Sequence, residues 1–228
     1  GKQYPTNKEN FGVFLDSMPD TWGRTLMKRR AAQQAAEKGE KPKTLYEIDY
    51  LLGVYDESRM GALRFKTELE GEFLDDNDQN PTPQWSSIRK LQEAAKNFED
   101  DDDHDEGKKW LTILMAPGSS LGGARPKANI LDENKELWIA KFPSLQDDRD
   151  IGGWEKVAYE LARNVGMNVP ESVTGKFYSK KHTFLTKRFD RNHQGERIHF
   201  ASAMTLLGHT DGTNYSSGAS YLDLAEFI

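Results

Sequence analysis

A glycine-rich segment in the middle of the chain is the first place where residue types suggest chemistry. Residues 118–128 read GSSLGGARPKA. Glycines let backbone N–H groups approach phosphate oxygens without a Cβ in the way. Arg125 and Lys127 add positive charge where a polyphosphate would sit. The spacing differs from the Walker A pattern, so the segment alone leaves two interpretations open: a phosphate-binding loop, or an ordinary turn between two predicted strands.

A lysine within the next apolar strand is the second candidate. Alternation along residues 137–142 puts Lys141 on the same face as Leu137 and Ile139. A charge on an apolar face is costly unless it is paired, although a lysine at a strand edge can also extend into water. Glu155, at the start of the next predicted helix, is a candidate partner. A glycine-rich loop, a strand lysine and a helix glutamate, in that order, form the arrangement of a protein-kinase N-terminal lobe.

The exit of a later strand gives the third candidate. Residues 184–191 (FLTKRFDR) end a predicted strand and open a polar loop. In a kinase the backbone of this hinge holds adenine, and Lys187, Arg188 and Phe189 are then the hinge candidates. A strand with a charged exit explains the same residues equally well.

The elements that must position these residues follow from hydrophobic spacing. Helices are predicted over residues 11–36, with a restart at Pro19-Asp20, and over residues 46–55, 85–98 and 154–165. Strands are predicted over residues 61–65, 110–115, 128–131, 137–142, 173–178 and 183–188. Helices and strands in this mixture predict an α+β fold.

Composition excludes several classes of protein. Lys and Arg number 31 and Asp and Glu number 37 in 228 residues, giving a net charge of −6, which excludes nucleic-acid binding through bulk positive charge. The absence of cysteine excludes disulfides and thiolate metal sites. No apolar run reaches the roughly 18 residues of a membrane span, so we expect a cytoplasmic protein with no membrane partner. The acidic run at residues 99–107 is predicted to be a solvated linker rather than a metal site.

Seven segments carry a resemblance that no single motif could. They are residues 14–24 (FLDSMPDTWGR), 51–65 (LLGVYDESRMGALRF), 119–128 (SSLGGARPKA), 138–143 (WIAKFP), 154–158 (WEKVA), 187–191 (KRFDR) and 199–208 (HFASAMTLLG). In this order they resemble the HipA family of bacterial serine/threonine-protein kinase toxins.

The resemblance implies a partial kinase-like fold of the HipA type. Residues 1–108 would form an N-terminal-type domain that lacks its first strands and ends in the acidic linker. Residues 109–228 would form the kinase N-lobe and the beginning of the C-lobe. The resemblance also implies ATP and Mg²⁺ as cofactors and phosphoryl transfer to a protein hydroxyl, with an aminoacyl-tRNA synthetase among the family's targets. A DNA-binding, HipB-like antitoxin and, through it, operator DNA would be the partners in a type II toxin–antitoxin system.

The resemblance also assigns residues. The implied phosphate loop consists of Leu121, Gly122, Gly123, Ala124, Arg125, Pro126 and Lys127. Lys141 would be the ATP lysine, with Glu155 as its partner, and Lys187, Arg188 and Phe189 would be the hinge. Ser120 matches the family's autophosphorylation serine, and a phosphate there would add roughly −1.5 to −2 charge beside the nucleotide.

The catalytic loop of the family has no match in the chain. Kinase chemistry needs an Asp that orients the substrate hydroxyl, a following Asn and an Asp for Mg²⁺. Asp211 and Asn214 imitate this spacing, but they follow residues 206–208 directly, where the family has a variable loop. We therefore expect the catalytic residues beyond Ile228. The alternatives are a truncated HipA-like protein that binds nucleotide or a partner without catalysis, and a small-molecule kinase on the same fold.

Overall fold

The computed structural model describes residues 2–5, 10–75, 81–100, 105–118, 121, 123–210 and 212–228. The helices, in chain order, are α1 Gly12–Leu15, α2 Thr21–Lys38, α3 Glu47–Leu52, α4 Ile88–Asp100, α5 Asp105–Gly118, α6 Ile151–Asn164, α7 Ala203–Leu206 and α8 Tyr221–Phe227. The strands are β1 Lys127–Leu131, β2 Leu137–Lys141, β3 Ser172–Gly175 and β4 Thr183–Lys187. Single 3₁₀ turns at Trp85–Ser87 and Tyr215–Ser217 precede α4 and α8.

Helix α2 begins where the sequence predicts and ends two residues beyond the predicted range. The Asp20 side chain accepts a hydrogen bond from the backbone N–H of Thr21, which satisfies a donor at the start of the helix. Gly39 ends the helix in a left-handed conformation with a φ of 68°, where a side chain would be strained. The predicted restart of the helix at Pro19-Asp20 is therefore confirmed.

The four strands form one antiparallel sheet in the order β1-β2-β4-β3. Because side chains alternate along a strand, the register divides the sheet into two faces. One face carries Ala128, Ile130 and Ala140, which lie in the apolar core with α4 and α5. The other face carries Lys127 and Lys141, which lie opposite each other on β1 and β2. Helix α6 packs against β3 and β4.

A single apolar cluster joins the early helices to the sheet. Leu26 of α2, Leu91 of α4, Leu114 of α5 and Ile130 of β1 all belong to it and are buried. The predicted domain boundary at residue 108 falls inside α5, which packs against both α2 and β1. The division into two domains stays a prediction.

Two predicted strands are wrong. Residues 110–115 belong to helix α5, because Leu111, Leu114 and Met115 face the core at helical spacing. Residues 61–65 contribute only an isolated bridge between Phe65 and Leu74. As a consequence, the glycine-rich segment connects a helix to a strand instead of two strands. The predicted acidic linker at 99–107 is helical at both its ends, and residues 101–104 lie outside the described residues.

Candidate functional site

The lysine of β2 has the partner that its position requires. The Lys141 ammonium forms an ion pair with Glu155 of α6. Both side chains are about one third exposed, so the pair is partly open to solvent. The ammonium also lies 5.5 Å from the ring centroid of Phe184, its neighbour across the strands on β4. The contact predicted between Lys141 and Glu155 is therefore present.

Lys127 is the second cation on this face, and its situation is different. Its side chain lies opposite that of Lys141, and the residue is 6% exposed. Within the part of the chain that the structure describes, no carboxylate forms an ion pair with its ammonium. Burial, followed by the positive charge of Lys141, lowers the pKa of Lys127 from 10.5 to about 8. A buried ammonium without a counter-ion is costly, and an anionic ligand would relieve that cost.

The glycine-rich loop covers this ammonium. Leu121 is buried, and Gly123 has a φ of 80°, a conformation that L side chains rarely adopt. A Cβ at Gly123 would lie 3.0 Å from the Lys127 Nζ. Glycine is therefore needed here for the backbone conformation, and a side chain would also bring a tight contact with the ammonium. Two predicted loop residues, Ser120 and Gly122, lie outside the described residues.

The start of helix α2 holds the described part of the loop. The Asp20 carboxylate accepts a hydrogen bond of 2.7 Å from the Gly123 backbone N–H. The Trp22 backbone N–H donates to the Gly123 carbonyl at 3.1 Å, and its indole Nε1 donates to the Lys127 carbonyl at 2.9 Å. Residues 14–24 contribute to the sequence prediction only through a resemblance, and neither Asp20 nor Trp22 is among the predicted site residues.

The Arg125 side chain forms an ion pair with Asp147. Its guanidinium forms a two-pronged ion pair with Asp147, in which Nη2 lies 2.6 Å from Oδ2. Burial alone would raise the pKa of Asp147, but the hydrogen bonds from Arg125 and the Ser144 backbone outweigh it and hold that pKa below its usual range. The positive charge of Arg125 is thus already compensated, and its predicted role toward a phosphate stays a prediction.

Helix α6 is fixed at its first turn, which sets the position of Glu155. Asp150 accepts hydrogen bonds from the Gly153 backbone at 3.2 Å and from the His182 backbone at 2.9 Å, and its carboxylate lies 2.5 Å from the His182 Nδ1. Gly152 allows this close contact, because a Cβ there would lie 2.1 Å from the His182 carbonyl oxygen. The helix therefore rests directly on the backbone that leads into β4.

The side chain of Arg188, a predicted hinge residue, belongs to a buried network. Its guanidinium pairs with Asp190 at 2.5 Å, and neither side chain is exposed. It also donates to the backbone carbonyls of Ser58 and Arg59 at 2.7 Å and 3.1 Å, while the Gly61 N–H donates to Asp190 at 2.7 Å. Burial would raise the pKa of Asp190, but the hydrogen bond from Arg188 outweighs it and keeps that pKa low. This network connects the end of β4 to residues 58–61.

The other two hinge candidates lie apart from the lysine pair. Lys187 lies on the sheet face opposite to that of Lys141, because its neighbour across the strands is Trp138, and its ammonium pairs with Glu136 at 2.5 Å. Phe189 is 55% exposed, and its ring contacts Phe200 with the centroids 5.4 Å apart. Any hinge function of these residues through the backbone stays a prediction.

The described residues contain neither a metal-binding cluster nor a membrane-spanning helix. Within those residues, no three His, Cys, Asp or Glu side chains come together in a way that could hold a metal ion. None of the helices in the described residues is long and apolar enough to cross a membrane. Asp211, which imitates part of a catalytic loop in the sequence, lies outside the described residues.

The antiparallel sheet, the glycine-rich loop and the pairing of a strand lysine with a helix glutamate define an α+β protein consistent with part of a HipA-type kinase-like fold. Residues 119–228 match the family model of the HipA-like C-terminal domain. This match supports a HipA-like protein, as the sequence segments predict. No curated protein matches it in a sequence comparison.

Proposed function

We propose that the protein binds ATP on the sheet face that carries Lys127 and Lys141 and acts as a serine/threonine-protein kinase toxin. The match of residues 119–228 to the HipA-like C-terminal domain supports a toxin-related function. The observation that carries the more specific proposal is the buried Lys127 ammonium beside the Lys141–Glu155 pair. Two lysines on one face, under a glycine-rich loop, suit the phosphates of a nucleotide.

The chain's own residues have distinct tasks in this proposal. Lys127 supplies positive charge that no described carboxylate compensates with an ion pair, and Glu155 keeps Lys141 directed along the sheet face. The Gly123 backbone allows the loop to lie close to the Lys127 ammonium. ATP with Mg²⁺ supplies the phosphoryl group for transfer to a protein hydroxyl. We assign no Mg²⁺ ligand, because the described residues bring no suitable cluster together.

The remaining parts of the proposal rest on the resemblance to the HipA family and on the match to its C-terminal domain. They are autophosphorylation at Ser120, a protein substrate such as an aminoacyl-tRNA synthetase, and neutralisation by a DNA-binding antitoxin that carries the complex to operator DNA. A phosphate on Ser120 would add negative charge to the loop that leads to Gly123 and Lys127. It would therefore oppose nucleotide binding by repulsion.

The test compares the affinities of the chain for ATP and for adenosine by calorimetric titration. Adenosine lacks the phosphates, so preferential binding of ATP measures the contribution of the lysine face. We expect the Lys141→Met variant to lose about tenfold or more in ATP affinity while its adenosine affinity stays the same. Lys90→Met, at an exposed position on α4, is the matched control and should bind like the unmodified chain. Equal affinities for ATP and adenosine in the unmodified chain would contradict the proposal.

A cellular experiment tests the toxin activity itself. Expression of the full-length protein should arrest growth, and Lys141→Ala should abolish the arrest while the protein stays folded. Arrest that persists in a folded Lys141→Ala variant would show that the activity does not depend on this lysine.

A further inference from the structure

We propose that Asp20 and Trp22 are positioning residues of the glycine-rich loop, so that the start of helix α2 forms part of the nucleotide site. This inference rests on the function proposed above and adds to it a contribution from the N-terminal part of the chain. Their contacts reach across 103 and 105 residues of sequence. They fix the segment that begins at Gly123 and ends at Lys127.

The three hydrogen bonds act on both ends of this five-residue segment. The Gly123 N–H donates to Asp20, and the Gly123 carbonyl accepts from the Trp22 backbone. The Lys127 carbonyl accepts from the Trp22 indole. Both peptide groups of Gly123 are thus engaged while its φ is 80°. The loop is held in the conformation that lets the Lys127 ammonium lie beneath it.

The groups that hold the loop are themselves rigid. Trp22 is 4% exposed, and its ring packs edge-on against Phe98 with the centroids 5.5 Å apart. Arg24, in the first turn of α2, forms a two-pronged pair with Glu47 at 2.6 Å and 2.7 Å. Hydrogen bonds to a charged acceptor such as the Asp20 carboxylate are also stronger than neutral ones. A rigid helix end therefore transmits its position to the loop.

Asp20 has a second task, which the test must separate from the first. One carboxylate oxygen accepts from the Thr21 N–H and caps α2, while the other accepts from Gly123. Asp20→Ser keeps a residue that caps helices well but removes the second oxygen. Trp22→Phe keeps an aromatic ring against Phe98 and removes the indole donor to Lys127. The two variants weaken the loop contacts by independent routes.

The experiment measures two quantities on the full chain: amide hydrogen exchange at Gly123, and the affinities for ATP and adenosine. In Asp20→Ser we expect exchange at Gly123 to be about tenfold faster and ATP affinity to fall several-fold, while adenosine affinity stays unchanged. Trp22→Phe should lower ATP affinity in the same selective way. Ser220→Ala, which removes the cap of helix α8, is the control and should change neither quantity.

The outcomes distinguish this inference from the proposed function. If the unmodified chain does not prefer ATP over adenosine, the proposed function fails, and the exchange rates alone decide whether Asp20 holds the loop. If both variants bind ATP as tightly as the unmodified chain, Asp20 and Trp22 are only structural and the inference is wrong. An equal loss of ATP and adenosine affinity would also refute it, because a positioning effect acts on the phosphates.

Discussion

Replacement of Lys127 by methionine should stabilise the protein while it weakens ATP binding. Burial holds the pKa of Lys127 at about 8, below its ordinary value of 10.5. The difference corresponds to a cost of about 3 kcal/mol for keeping the ammonium charged in the folded protein at neutral pH. Methionine has a similar length and no charge, so Lys127→Met should raise the free energy of unfolding by up to about 3 kcal/mol at pH 7.

The pH dependence gives this prediction a specific sign. Below pH 8 the lysine is charged in both the folded and the unfolded chain, and the full cost is present. Between pH 8 and 10.5 the folded protein loses the proton first, so the stability of the unmodified chain rises toward that of the variant. Urea unfolding of both proteins at pH 7, 8.5 and 10 should therefore show a difference that shrinks by about 1.4 kcal/mol for each pH unit above 8.

Lys141→Met is the matched control for this experiment. Lys141 is paired with Glu155 and one third exposed, so its removal leaves a carboxylate without its partner and should not stabilise the fold. If Lys127→Met is no more stable than the unmodified chain at pH 7, or if the difference does not depend on pH, the account of Lys127 as a buried cation without an ion-pair partner among the described residues is refuted.

Three further predictions test the packing that positions the site. Gly152→Ala should lower the free energy of unfolding by on the order of 2 kcal/mol, because the new methyl group would overlap the His182 carbonyl; an unchanged urea midpoint would contradict the close contact. Asp190→Ala should lower the free energy of unfolding by about 3–5 kcal/mol in the same assay, since it leaves the buried Arg188 guanidinium without its carboxylate partner. An unchanged free energy of unfolding would show that water reaches the pair. Leu114→Ala should lower the free energy of unfolding by about 2–5 kcal/mol in thermal or urea unfolding, because this side chain is fully buried. A decrease below about 1 kcal/mol, roughly that of a surface substitution, would show that α5 does not pack in the core as described.

The elements around the lysine pair could be predicted because their signals are local. Residues 154–165 have helical apolar spacing, and helix α6 covers Ile151–Asn164. Hydrophobic periodicity, however, predicts the helix but not which of its apolar side chains are buried. Trp154, Leu161 and Val165 of this stripe are 62%, 61% and 77% exposed, although their spacing is typical of a buried face.

The error at residues 110–115 has a general physical cause. Six apolar or β-type residues in a row satisfy the pattern of a buried strand and of a buried helix equally well. The structure makes them part of a 14-residue helix, Asp105–Gly118. The helix begins inside the acidic run, where the density of charge predicted a linker. Helix α5 packs on α2 and α4, and the local sequence does not show these partners.

The site residues, too, could be predicted where the signal is local and could not where the contact partners are distant in sequence. The Lys141–Glu155 contact could be inferred because a charge in an apolar strand requires a partner, and a glutamate follows within the next helix. The contacts of Asp20 and Trp22 could not, because their acceptors and donors lie more than 100 residues away. The buried ion pair of the Arg188 side chain was not predicted either, while the hinge role predicted for its backbone stays a prediction.

The network around Asp190 also has a consequence for synthesis on the ribosome. The Gly61 N–H finds its acceptor, Asp190, 129 residues later in the chain. At elongation rates of about 5–20 residues per second, roughly 6 to 26 s pass before that carboxylate exists. During this interval the carbonyls of Ser58 and Arg59 also lack their hydrogen-bond donor, the Arg188 guanidinium. The N-terminal segment therefore completes its native contacts only when β4 has emerged, and a chain stalled earlier would expose this region to proteases.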